Sequence, residues 1–343
     1  MRRRSSPERG GGPSEGWWRG PSTRTGGRGA PSTGFAGPPP RSGEDQFLST
    51  LRTLATHPAA RGCLADAAVL EIGGERLVLT HDMIVEGVHF LPDDPPEDVA
   101  WKLVAVNLSD LAAKGAVPVG LLLGYALGDE AWNRRFLSGL SEVVAAFDAP
   151  LLGGDTVSGP SRVFGLTAIG RAAHQVPSRA GACSGDRLFV TGTIGDAGLG
   201  LRIARGEIDG PAALLARYRR PTPRLAKGVA LVPLVTAMMD VSDGLLLDAA
   251  RMAAASDVAI EIALDAVPLS RELLEIAPDT LATRLAASVA GDDYELLFAA
   301  PAAPMGIACT EVGSFSSGAG LRLSYAGEAV PIPDNLGYEH RNA

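Results

Sequence analysis

The sequence predicts an α/β protein built from two alternating halves. Three observations carry that reading. From Gly43 onward, apolar runs of strand length alternate with stretches of helical period. The pattern restarts after a polar break at Arg171 to Pro177. The resulting halves, about 130 and 170 residues, are each long enough to bury a core of their own. The domain reading is therefore an extension over 1–42, a first domain over 43–172 and a second over 173–343.

Residues 1–42 carry eight Arg and two acidic residues among many Gly, Pro and Ser. A segment so poor in regularly spaced apolar residues cannot offset its ordering entropy, so it is expected to be disordered. Trp17, Trp18 and the lack of an apolar core run argue against a secretory signal. The stretch EDQFLSTLRTLA then reads as an amphipathic helix, and DAAVLEIGGERLVLTHD as two strands hinged at Gly73 and Gly74. EDVAWKLVAVNLSDLAAKG has helical period, acidic residues in its first turn and Gly115 as C-terminal cap. Within it, Asn107, Ser109 and Asp110 form a polar trio that would be costly if buried without partners, so it is expected to face a cleft. VPVGLLLGYAL (strand), EAWNRRFLSGLSEVVAAF (helix), APLLGGD (strand) and RVFGLTAIG (strand) complete the first half.

In the second half, GDRLFVTGTIGDAGLGL reads as a strand, a Gly-rich turn and a helix. Such a turn serves either close packing or the cradling of a phosphate on the helix N-terminus. RYRRPTPRLAKGVAL is a Pro-marked turn entering a helix, TAMMD a strand leading through VSDG into another helix, and ASVAGDDYELLFAAP an acidic turn feeding a strand.

Composition excludes several function classes. The whole chain carries a formal charge of −8, and residues 43–343, with 23 basic and 37 acidic residues, carry −14. A nucleic-acid-binding body is not expected from such a balance. The Lys residues are 102, 114 and 227, and none precedes Ser or Thr, so there is no P-loop. Cys63, Cys183 and Cys309 are isolated, which suggests a reducing compartment and neither a disulfide framework nor a zinc site. No uncharged stretch reaches the roughly 20 residues that cross a bilayer, and one of the longest, Gly115 to Gly128, is broken by Pro118. A soluble, cytoplasmic protein is expected.

Against that background, Asp66, Asp82, Asp110, Asp155, Asp240 and Asp243 recur next to small residues, at the ends of strand-like runs or in a helix closely following one. Singly, an Asp in such a place is also a turn former or helix cap. As a set they suit Mg²⁺, which takes one or two carboxylates per ion and completes its shell with water and phosphate oxygens. An acidic, Lys-poor protein that binds phosphates needs such cations as intermediaries.

In order, the motifs ADAAVL, THDMIVEGVHF, VNLSDLAAKGA, LLGGDT, RRPTPR, DVSDG, GDDYELLF and GYEH resemble the thiamine-monophosphate kinase family, within the aminoimidazole-ribonucleotide synthetase-like ATP enzymes. The resemblance runs from about Gly43 to His340. It implies a two-domain fold whose strand-rich N-terminal domain contributes to a barrel shared in a homodimer, followed by a C-terminal α/β domain. It implies transfer of the ATP γ-phosphoryl group to thiamine monophosphate, with several Mg²⁺ ions and no phosphoenzyme. By the same resemblance Asp66, Thr80, His81, Asp82, Asp110, Asp155, Asp240 and Asp243 occupy metal-binding positions, with Asp110 and Asp243 catalytic. Gly154, Asp155, Arg171 and Ser242 match nucleotide-contacting positions, and His89, Asp292 and Tyr338 match positions at the thiamine moiety. An aromatic ring at 338 suits a cationic thiazolium.

Two positions depart from the family's pattern. Ala65 stands where a second Asp usually precedes the AAVL strand, and Asp292 where Glu is frequent. The alternatives are a neighbouring enzyme of the superfamily or a nucleotide-binding protein without turnover. Selenophosphate synthetases and hydrogenase-maturation proteins need a nucleophilic Cys, which neither Cys63 nor the ending GYEHRNA supplies.

Overall fold

The structure is a computed structural model that describes residues 43–339; the extension over 1–42 and His340 lie outside the described residues. Helix α1 (Gly43–Leu54) leads through a 3₁₀ turn into the hairpin β1 (Ala68–Ile72) and β2 (Glu75–Val85), whose turn is Gly73–Gly74 with φ of 61° and 86°. Those left-handed values are what make glycine the economical choice there. Then follow α2 (Pro96–Ala113), β3 (Val117–Leu127), α3 (Glu130–Ala146), β4 (Leu151–Ser158) and β5 (Val163–Ala172). The five strands form one sheet in the order β1-β2-β5-β3-β4, antiparallel except for the β3–β4 pair.

The remaining elements are β6 (Arg187–Val190), α4 (Asp196–Ala204), α5 (Ala212–Arg219), α6 (Leu225–Leu231), β7 (Ala237–Asp240), α7 (Leu245–Ala255), β8 (Ala259–Ala263), α8 (Arg271–Ile276), α9 (Leu281–Val289), β9 (Leu296–Ala300), β10 (Thr310–Ser316), β11 (Gly320–Tyr325) and β12 (Glu328–Val330). Their strands form a second sheet, β12-β11-β8-β10-β6-β9-β7. Two sheets with helices match the mixed α/β class read from the sequence.

Strand alternation gives the first sheet two unlike faces. On one, Val78, Ile84, Leu121, Tyr125, Phe164 and Leu166 are buried, and the Phe164 ring packs 5.1 Å from Phe136 of α3 and 4.9 Å from Tyr125. On the other, Met83, Leu122 and Val157 are exposed.

Helix α2 is buried along nearly its whole length. It packs on β2 and β5, against α3 and α6, and through Ala112 and Ala113 against Phe189, Met238 and Phe298 of the second sheet. Buried all round, it draws its apolar character from every side rather than from one stripe. The approach of α6 is close enough that a Cβ on Gly228 would sit 2.0 Å from the Ala112 carbonyl oxygen. Gly228→Ala is expected to destabilise the fold by about 3 kcal/mol through overpacking. Urea unfolding would register this as a lower midpoint with an unchanged slope.

Candidate active site

Helix α2 is also what brings the acidic residues together, because it lies between the two sheets and offers polar side chains to both. Toward the first sheet, Asp110 accepts a hydrogen bond from the Thr80 hydroxyl, and Asn107 Oδ1 accepts the Asp82 backbone N–H at 3.0 Å. Toward the second, Ser109 donates to Asp240 Oδ2 at 2.5 Å. The trio Asn107, Ser109 and Asp110 is thus buried with partners instead of lining an open cleft. The hydrogen bonds offset part of the desolvation cost that argued for exposure.

Asp66, Asp110 and Asp240 each present a carboxylate oxygen, and these oxygens lie within 4.8 Å of one another. Asp82 and Asp243 stand close enough to act on the same group: burial, then Asp66 and Asp243, push Asp82 up to about 6. Burial and Asp66 push Asp240 up to about 7, although the Ser109 hydroxyl works the other way. Asp110 is raised well above the carboxylate range by burial and by Asp82, Asp240 and Asp66. Like charges this close cannot all ionise without a compensating cation. Hard oxygen donors converging on one point fit Mg²⁺, which such ligands suit in size and charge.

Two cations escaped the sequence reading. Lys114 is fully buried, with Nζ 2.6 Å from Asp66 Oδ2, and Arg179 pairs with the other oxygen of the same carboxylate. Burial opposes ionisation of Asp66, but the two cations together hold its carboxyl well below the usual range. Lys114 sits at the C-terminal cap of α2, where a basic residue ordinarily passes for a solvated cap, so local pattern gave no sign of it.

The DVSDG segment following β7 forms the other wall. The Ser242 and Asp243 amides both donate to Asp248 Oδ2 at 3.1 Å, and Arg251 bridges Asp243 and Asp248. Burial first, and then Asp243, push Asp248 up to about 8. Two further residues named from the sequence are tied to this segment by their backbones: Asp292 N–H donates to Ser242 O and Tyr338 N–H to Asp243 O, each at 2.8 Å. A Cβ at Gly337 would come within 2.3 Å of that same Asp243 carbonyl, so the chain lies against the loop there.

The residues named from the sequence therefore divide. Asp66, Thr80, Asp82, Asp110, Asp240 and Asp243 converge, with Ser242, Asp292 and Tyr338 attached to the same loop. His81 does not join them. One residue from Thr80 and Asp82 on β2, its side chain takes the opposite face, where Nδ1 lies 2.9 Å from Thr167 Oγ1. A period of two along the strand was the available signal. Asp155 shares that outward face on the edge strand β4, exposed, its Oδ1 accepting the Thr156 amide at 2.9 Å. Arg171 is likewise outward, paired with Glu75 at 3.1 Å. Gly154 packs against β3, where a Cβ would meet Leu123 O at 1.9 Å.

The Gly-rich turn before α4 is not an open phosphate cradle. Its Gly195 and Ala197 amides are taken by Asp293 at 2.8 and 3.4 Å, so a carboxylate of the chain already occupies the helix N-terminus. RRPTPR turns out to fasten the two sheets: Arg219 pairs with Asp94, Arg220 with Asp98, and Arg224 with the buried Glu295.

The two halves match the family models described as AIR synthase related protein, N-terminal domain, over residues 64–172 and AIR synthase related protein, C-terminal domain, over 184–335. The carboxylate centre thus belongs to a two-domain protein of the AIR synthase-related class. The chain is 41% identical over 318 residues to a thiamine-monophosphate kinase of Caulobacter vibrioides, covering 86% of this chain and 90% of that one. It belongs to the thiamine-monophosphate kinase family. The corresponding Escherichia coli K12 protein is 38% identical, with 80% and 90% covered. A solved structure described as AaThiL complexed with AMPPCP and TMP superposes with a TM-score of 0.77 at 30% identity, covering 87% of this chain and 97% of that one. Among the described residues no helix is long and apolar enough to cross a membrane.

Proposed function

We propose that the chain phosphorylates thiamine monophosphate with ATP, giving thiamine diphosphate and ADP. The observation that carries this reading is the ring of carboxylates from Asp66, Asp110 and Asp240 where the two sheets meet, with the 292 and 338 positions hydrogen-bonded to its DVSDG wall. Asp66, Asp82, Asp110, Asp240 and Asp243 would hold Mg²⁺, which when bound would supply charge neutralisation for the phosphate groups. The nucleophile is an oxygen of the acceptor's own phosphate, already largely anionic at neutral pH because the second phosphate pKa is about 6. No side chain has to remove a proton. A bond forms from that oxygen to the γ-phosphorus as the bond to the β-bridging oxygen breaks, and ADP carries away the electron pair. Thr80 and Ser109 fix the orientation of Asp110 and Asp240, while Lys114 and Arg179 keep Asp66 ionised. His89, Asp292 and Tyr338 are assigned to the acceptor, and Gly154, Arg171 and Ser242 to the nucleotide.

The exposed Met83, Leu122 and Val157 share the outward face of the first sheet, beside the edge strand β4. An apolar sheet face next to an open edge supports a homodimer that closes this face into a barrel. Any contribution of His81 and Asp155 to metal binding is made on that side. We divide the chain functionally at residue 172 and assign it to the cytoplasm.

Full-length protein with Mg²⁺, ATP and thiamine monophosphate should form thiamine diphosphate, with inversion at a chiral γ-phosphorus. No product would refute the activity, and retention would mean a phosphoenzyme.

A further inference from the structure

We propose that Lys102 is a positioning residue that sets the spacing between the two walls of the acceptor pocket. This rests on the assignment of His89 and Asp292 to the acceptor. Lys102 lies on α2, two turns before the carboxylate centre, and its side chain is only 3% exposed. Its ammonium donates to Asp292 Oδ2 at 2.6 Å and to the His89 carbonyl at 2.9 Å, and stands 4.2 Å over the Tyr218 ring. Three N–H groups meet two oxygens and one π-face, which uses the full donor capacity of the ammonium.

Each partner comes from a different part of the fold. His89 follows β2 of the first sheet, and its Nδ1 accepts the Val85 amide at 3.1 Å, which leaves the ring proton on Nε2. Asp292 belongs to the loop before β9 of the second sheet. Tyr218 lies on α5 and is itself held by its hydroxyl on Asp94 at 3.0 Å, beside Arg219 on the same carboxylate. Asp292 has a φ of 69°, a left-handed conformation that a non-glycine residue adopts at some cost and keeps only when its surroundings over-determine it. Lys102 on one carboxylate oxygen, the Tyr294 hydroxyl at 3.1 Å on the other, and the Ser242 carbonyl on its amide supply that constraint. With Asp in place of a longer Glu, the carboxylate cannot reposition itself by side-chain reach, so the ammonium decides where it stands.

The test compares steady-state kinetics and thiamine monophosphate binding by calorimetry in Lys102→Met, Lys102→Arg, Asp292→Asn, His89→Ala and the Lys102→Met/Asp292→Asn double variant. Lys102→Met should raise the KM for thiamine monophosphate about tenfold, the effect of losing one charge-assisted contact, with the KM for ATP within about twofold. The double variant should be no worse than Asp292→Asn alone, since the two residues act as one unit. Lys102→Arg covers the case in which the Met variant does not fold. It keeps the charge, but its planar fork cannot meet both oxygens at the same spacing, so the same selective rise is expected at about threefold. An acceptor KM unchanged in the Lys102 variants but raised in Asp292→Asn overturns the proposal. So does a parallel rise in both KM values with a loss of thermal stability, which marks a purely structural lysine. If Asp292→Asn and His89→Ala both leave the acceptor KM unchanged, the acceptor assignment itself is at fault.

Discussion

Asp110→Asn is expected to abolish turnover while making the metal-free protein more stable. Asp110 is buried among Asp66, Asp82 and Asp240, and burial first, then their repulsion, oppose its charge, which is free energy stored against folding. An amide keeps an acceptor for the Thr80 hydroxyl and removes the charge. Relief of that opposition is expected to raise the Tm of the metal-free protein by about 2–4 °C, the shift that about 1 kcal/mol produces in a protein of this size. The same substitution deletes a hard anionic donor at the centre of the cluster, and a loss of about 10³-fold or more in kcat is expected. Calorimetry in chelator and product formation in Mg²⁺ measure the two effects separately. A less stable Asp110→Asn protein would mean that the carboxylate is a structural anchor, and near-normal kcat would remove it from the metal set.

The second large effect is on the pH dependence of the metal-free fold. Asp82, Asp240 and Asp248 are pushed up to about 6, 7 and 8, above the value near 3.9 of an unfolded carboxylate. Between about pH 4 and pH 8 the folded chain therefore binds more protons than the unfolded one. Stability must then fall as pH rises through that window, opposite to the usual behaviour of paired carboxylates. Asp66 has the reverse shift, and its contribution is lost only below about pH 4, outside the window. Metal-free Tm is expected to drop by about 5–10 °C from pH 5 to pH 8. Saturating Mg²⁺ should stabilise more at pH 8 than at pH 5, because binding requires the ionised ligands and releases their protons. A metal-free Tm that rises over this range would refute the charge-repulsion account.

Much of the fold was legible because it rests on local rules. The Gly73–Gly74 hairpin, the β3 run and the stop of α2 before Gly115 follow from turn chemistry, strand composition and capping. What misled was context. The turn before α4 has the glycines of a phosphate loop, but Asp293, about 100 residues away in sequence, already fills it. The polar trio of α2 looked exposed only because its partners, Thr80 and Asp240 among them, arrive from two different sheets.

The sequence by itself determined which chemistry is present: carboxylates beside small residues, few lysines, no P-loop and a motif order that marks the family. Those are properties of residue type and spacing. Tertiary structure alone decided which carboxylates share a point, that His81 and Asp155 turn to the outward face, and that Lys114 and Arg179 neutralise Asp66 from 48 and 113 residues away. The reason is physical: Coulomb and hydrogen-bond energies depend on distance and burial, and for residues far apart in sequence both are set by how the two sheets close on α2.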